Sequence, residues 1–198
     1  MKKMLFIGAM LVVGMTAFGG RVVDLGPANP SQPVSGDTSL GIITKGEVVD
    51  KTKEVLLVVK PTLSAGDDET SLHFRFGDMK AGTGKEVDGE FTVQVLNKGE
   101  AVDMGNALAV KLKKPGGTDL GATEDIKLYK TNAPELSDTH KMGTIRYTLT
   151  GQKENSGKLY TGRVVSNVKL DADKTGSFAD SSCYIDIAIT NLNIPAGN

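Results

Sequence analysis

The alternation near the end of the chain sets the tightest limit on its fold. Ile185, Ile187 and Ile189 alternate with Asp186 and Ala188. β-Branched side chains at every second position describe a strand with one buried face and one wet face; helical spacing would scatter them. Gly176 and Phe178 open this stretch, and Pro195 and Gly197 follow it, so it reads as the last strand to form. Cys183 shares the parity of the isoleucines and reads as a small buried hydrophobe. It is the sole cysteine, so no disulfide can form within the chain.

The same two-residue period recurs upstream. Val55, Leu56, Leu57, Val58 and Val59 form a β-rich run closed by Pro61. Leu72, Phe74 and Phe76 oppose His73 and Arg75, and Phe91, Val93 and Val95 alternate with Thr92 and Gln94. Further strands are expected over 108–112, 126–129, 144–150 and 159–170. Residues 81–84 and the pair Asp88-Gly89 carry turn chemistry. No segment holds apolar residues at helical spacing over three turns. With 24 glycines and no Trp, the pattern predicts an all-β chain, a sandwich or a barrel.

The first residues read as a targeting signal rather than as fold. Lys2 and Lys3 precede an apolar run that ends in small residues at Ala17 and Gly19, the form of a secretory signal peptide over 1–19. The run is too short for a stable span, so none is expected once it is cleaved. Residues 20–40 hold Pro27, Pro30 and Pro33 with several Gly, Ser and Asn, the composition of a flexible leader. The β-sandwich domain is expected over 41–198. Without Lys2 and Lys3, the 23 basic residues fall to 21 against 24 acidic ones, a net charge of about −3. That balance provides no electrostatic footprint for nucleic acid.

Motifs for chemistry are sparse. Gly84-Lys85 and Gly157-Lys158 both miss the spacing that wraps backbone amides around a phosphate. His73 and His140 lack neighbouring Cys or His, and His73 falls on the wet parity of its segment. No Gly-x-Ser-x-Gly elbow is present. Asp171, Asp173 and Thr175 followed by Gly176 match the opening of a calcium loop, but Ser182 stands where a bidentate Glu is needed. An acidic connection between strands is the plainer reading. No catalytic residue, metal or cofactor is therefore expected.

Gly176-Ser-Phe178-Ala-Asp180 followed by the isoleucine alternation resembles the closing strand of spore coat protein U-like and archaic chaperone–usher pilin subunits. The valine-rich run ending near Pro61, the 72–78 segment and the 91–95 strand resemble earlier strands of that family, in the same order. The resemblance implies an immunoglobulin-like antiparallel β-sandwich, complete or one strand short. It implies an exported structural subunit of a fimbria-like surface assembly, not an enzyme, moving from periplasm to cell surface. Its partners would be like subunits, a periplasmic chaperone and an outer-membrane usher. Assembly would proceed by donor-strand complementation, in which an extended segment adds to a neighbour's sheet. Candidate donors are Ile42, Ile43, Val48 and Val49, or Val22, Val23 and Leu25; the region 21–49 as a whole precedes the first confident core strand. Phe178, Ile185, Ile187 and Ile189 would border the acceptor groove. The alternative is a self-contained secreted or periplasmic β-sandwich that binds a ligand or acts in adhesion.

Overall fold

The computed structural model describes residues 21–26, 34–40, 55–62, 71–179 and 182–194. They form eleven strands: β1 (Arg21–Gly26), β2 (Val34–Leu40), β3 (Val55–Pro61), β4 (Gly84–Asn97), β5 (Glu100–Val102), β6 (Leu108–Lys113), β7 (Ile126–Lys130), β8 (Lys141–Glu154), β9 (Leu159–Leu170), β10 (Phe178–Ala179) and β11 (Tyr184–Leu192). The described residues contain no α-helix, only a short 3-10 turn at Asn155–Gly157. An eight-stranded sheet runs β1-β3-β4-β9-β8-β7-β10, with β5 paired to β4. A three-stranded sheet runs β2-β11-β6. All the strand pairs are antiparallel. The two sheets pack as a sandwich, because Ile185, Ile187 and Ile189 of one share an apolar cluster with Leu57, Phe91 and Val164 of the other.

Long hairpins carry the larger sheet. β8 and β9 pair from Gly143↔Leu170 to Glu154↔Leu159. The turn between them places Asn155, Ser156 and Gly157 at positive φ. Glycines on these strands make room for aromatics. A Cβ at Gly162 would lie 2.3 Å from the fully buried Phe91 ring, and one at Gly151 would lie 2.0 Å from the Tyr160 hydroxyl. Each ring thus covers the backbone that a missing side chain leaves bare, and the register is pinned.

The predicted alternation holds on β4, β8 and β11, while Val55 to Val59 on β3 are buried on both faces. Three differences have physical causes. Asp88-Gly89 is no turn; it lies inside β4, opposite Val165 and Val164. Asp88 faces water and pairs with Arg163 at 2.8 Å. Gly89 is needed for close approach, since a Cβ there would lie 3.3 Å from the Phe74 ring and 3.4 Å from Leu72. Residues 72–78, expected as a strand, lie in an extended strap over 71–79 that joins neither sheet. Within the strap Leu72 and Phe76 are buried while His73 and Arg75 are exposed, so period two reports its face but not its neighbours. Finally, β1 and β2 lie in the stretch whose composition reads as a leader. Extended polar chain becomes an edge strand when a bare edge offers hydrogen bonds.

Candidate functional site

Two features draw attention: the strand β11 with its neighbours, and a cleft between the 71–79 strap and residues 174–179. On β11, Ile185, Ile187 and Ile189 are all buried. Ile187 lies between Val110 of β6 and Thr38 of β2. The acceptor strand read from sequence therefore has a neighbour on each side, and one neighbour is the chain's own N-terminal region. Its register is Ile185↔Leu40, Ile187↔Thr38 and Ile189↔Gly36, with an irregularity before Leu192↔Val34. Thr38 is buried and Asp37 exposed, which gives β2 an inner and an outer face. The Thr38 hydroxyl is buried without a hydrogen-bond partner.

The other candidate donor residues divide in two. Val22, Val23 and Leu25 lie on β1, at the edge of the larger sheet, where Val22 is opposite Val58 and Val23 opposite Leu57. Leu25 contributes to the core. Ile42, Ile43, Val48 and Val49 lie outside the described residues. The N-terminal region thus gives one edge strand to each sheet.

Phe178 is not brought beside the isoleucines. It lies on β10, opposite Lys130 of β7, at the far edge of the larger sheet. There it lines a cleft of about 730 Å³. One wall of the cleft is the strap, through Phe74, Phe76 and Met79; the opposite wall is 174–179. Leu128, Ile145, Tyr147 and Leu170 form the apolar floor. Two ring pairs brace it: Phe74 with Tyr147 at 6.1 Å between centroids, and Phe76 with Phe178 at 6.3 Å. Both pairs are tilted, an arrangement that aromatic quadrupoles favour.

The strap is held at its far end. The Lys85 ammonium donates to the Phe76 carbonyl. Gly82 N–H donates to the Asp171 carbonyl at 3.2 Å, and Gly77 and Gly82 take positive φ where the chain turns back toward β4. Sequence reading missed the cleft because its parts come from distant segments. One signal existed: the chain is poor in aromatics, yet Phe74, Phe76, Tyr147 and Phe178 meet here.

Of the calcium-loop residues, Asp171 is ion-paired, Asp173 is exposed and Thr175 lines the cleft. Asp171 accepts from Lys141 at 3.0 Å, and Asp173 sits 3.6 Å from the Lys174 ammonium. Among the described residues no three His, Cys, Asp or Glu side chains converge. His73 is exposed, and His140 Nδ1 lies 3.0 Å from Ser137 Oγ. Cys183 is a buried thiol outside any disulfide, with its Sγ 3.9 Å from Ser182 Oγ. A charged cluster ties β6 to β11: Asp119 lies 2.7 Å from Lys113 and 2.9 Å from Lys111, and Lys113 lies 3.8 Å from Asp186. The hydrogen bonds from Lys113 and then Lys111 hold the Asp119 carboxyl down at about 2. No helix among the described residues is long and apolar enough to cross a membrane.

Comparison with known proteins brings no match: no family model, no curated protein and no solved structure is similar to the chain.

Proposed function

We propose that this chain is an exported structural subunit of a fimbria-like surface assembly, whose copies are joined by strand exchange. The observation that carries the reading is the pairing of β2 with β11. The N-terminal region supplies this outer strand, and residues 41–54 separate it from β3. A pairing made within one chain can be made between two chains with the same backbone hydrogen bonds and the same side-chain contacts. Each large apolar side chain that a donated strand buries is worth about 1.5–3 kcal/mol, so a few such positions, with the ladder hydrogen bonds, hold a noncovalent joint. Like copies are the partners, and a chaperone and an usher would guard the strand before exchange.

A second reading is a self-contained binding or adhesion protein. The cleft beside Phe178 favours it, and so does the closure of β11 by the chain's own strand.

Size-exclusion chromatography with light scattering separates the two. Protein starting at Arg21 is compared with protein starting at Thr52, with and without an added peptide of residues 21–49. Strand exchange predicts a ladder of oligomers from the longer chain and none from the shorter one. It also predicts that the peptide raises the melting temperature of the shorter chain. Two stable monomers with one melting temperature, indifferent to the peptide, would end the proposal.

A further inference from the structure

We propose that the cleft between the strap and β10 binds a small amphiphile, a ligand with an apolar body and an anionic end. This is independent of strand exchange, because no residue of β2 or β11 lines the cleft. The volume, about 730 Å³, lies within the range of small-molecule sites. Phe74 and Phe178 are each only half-buried, and both line the cleft, so their rings have apolar surface left to cover. Met79 at the strap and Met142 at the floor add unbranched side chains that reshape around a guest.

Charge selects the other end of the ligand. Arg75 and Lys174 line the cleft, and Asp78 is the one carboxylate on its lining among the described residues. Lys174 is withdrawn from water, with 27% of its side chain exposed, while its neighbour Asp173 is 79% exposed at 3.6 Å. That contact is too long for a hydrogen bond and is screened by solvent. A ligand carboxylate at the cleft mouth would give the ammonium the close, charge-assisted hydrogen bond that Asp173 does not. The hydroxyls of Thr175 and Ser177 lie on the same wall and can donate to the same group.

The test uses the mature full chain, taken from the monomer fraction, and the fluorescent fatty acid cis-parinaric acid beside its methyl ester. Saturable binding of the acid at one site per chain is expected, with the ester roughly tenfold weaker. Lys174→Gln should cost roughly tenfold for the acid and nothing for the ester. Phe178→Ala should weaken both ligands alike. Should Phe178→Ala not fold, Lys174→Gln still decides, because that residue lies in the connection between β9 and β10, outside the apolar core. Absence of saturable binding overturns the proposal, as does equal affinity for acid and ester. Displacement of the probe by a peptide of residues 42–49, together with indifference to Lys174→Gln, would make the cleft a peptide groove and also overturn it.

Discussion

Gly162 and Phe91 offer a sharp test of how the sandwich is packed. The two residues are register partners on β9 and β4. A Cβ at 162 would lie 2.3, 2.4 and 2.9 Å from three atoms of the Phe91 ring, where ordinary contact begins at 3.4 Å. The ring, fully buried, would have to move by about 1 Å into packed core, at a cost of about 1–3 kcal/mol. Against this, replacing a strand glycine by alanine recovers about 0.5–1 kcal/mol of backbone entropy. Gly162→Ala alone should therefore destabilise by about 1–2 kcal/mol. Phe91→Leu alone should cost about 1–3 kcal/mol through the space it leaves. In the Phe91→Leu background the clash is gone, and Gly162→Ala should become neutral or stabilising. The coupling in the double-mutant cycle is then about 2 kcal/mol, well above the error of additivity. Urea unfolding with an unchanged m-value reads it out. If Gly162→Ala costs the same in both backgrounds, the ring does not lie over that backbone and the reasoning fails.

Two further outcomes follow from single polar groups. Thr38 and Ser166 carry buried hydroxyls with no hydrogen-bond partner. Thr38→Val and Ser166→Ala should each raise stability by about 1 kcal/mol in urea titrations; a loss of that size would mean the hydroxyls are satisfied in solution. Asp119 has its pKa depressed from 3.8 to about 2 by hydrogen bonds from Lys113 and Lys111. A depressed carboxylate adds stability above its ordinary pKa and loses it as pH falls through the folded value. The contribution of Asp119 should thus be complete above pH 4 and fade toward pH 2. A carboxyl NMR titration midpoint near 3.8 would contradict the pairing, and added salt should move the midpoint upward.

Much of the fold could be read from the chain because period-two burial leaves a direct imprint on sequence. Ile185, Ile187 and Ile189 on β11, and Phe91, Val93 and Val95 on β4, are buried as their parity demands. What the period cannot carry is which strand lies alongside. Leu72, Phe74 and Phe76 alternate as cleanly as any strand, yet they belong to a strap with no ladder partner. Asp88-Gly89 was misleading in the other direction. Its glycine serves the passage of Leu72 and Phe74 overhead, a tertiary reason that looks locally like a turn. The candidate site suffers most from this gap. Phe178 carried a recognisable strand-opening pattern, but its position opposite Lys130, rather than beside the isoleucines, depends on the chain changing sheets between β10 and β11.

The length of 41–54 decides whether pairing within a chain or between chains is favoured, and this makes exchange testable without touching any contact. Both states have the same β2–β11 register, so contact energies cancel. What remains is the closure of the segment in the monomer against the loss of translational freedom in the oligomer. By the length dependence of loop closure, halving a segment changes the closure cost by only about 0.6 kcal/mol. That small gain ends once the segment can no longer reach. An extended chain spans at most about 3.6 Å per residue, and facing sheets lie about 10 Å apart before any sideways travel. A series of deletions within 41–54 should therefore leave the proportion of monomer to oligomers nearly unchanged at first. Below a threshold length the monomer should give way abruptly to dimers and higher species that retain the melting behaviour of the parent. Light scattering across the series would show this step. A series that stays monomeric at every length, while its stability falls steadily, would mean that β2 detaches rather than finding β11 of a neighbour. Strand exchange would then not be the means by which this chain assembles.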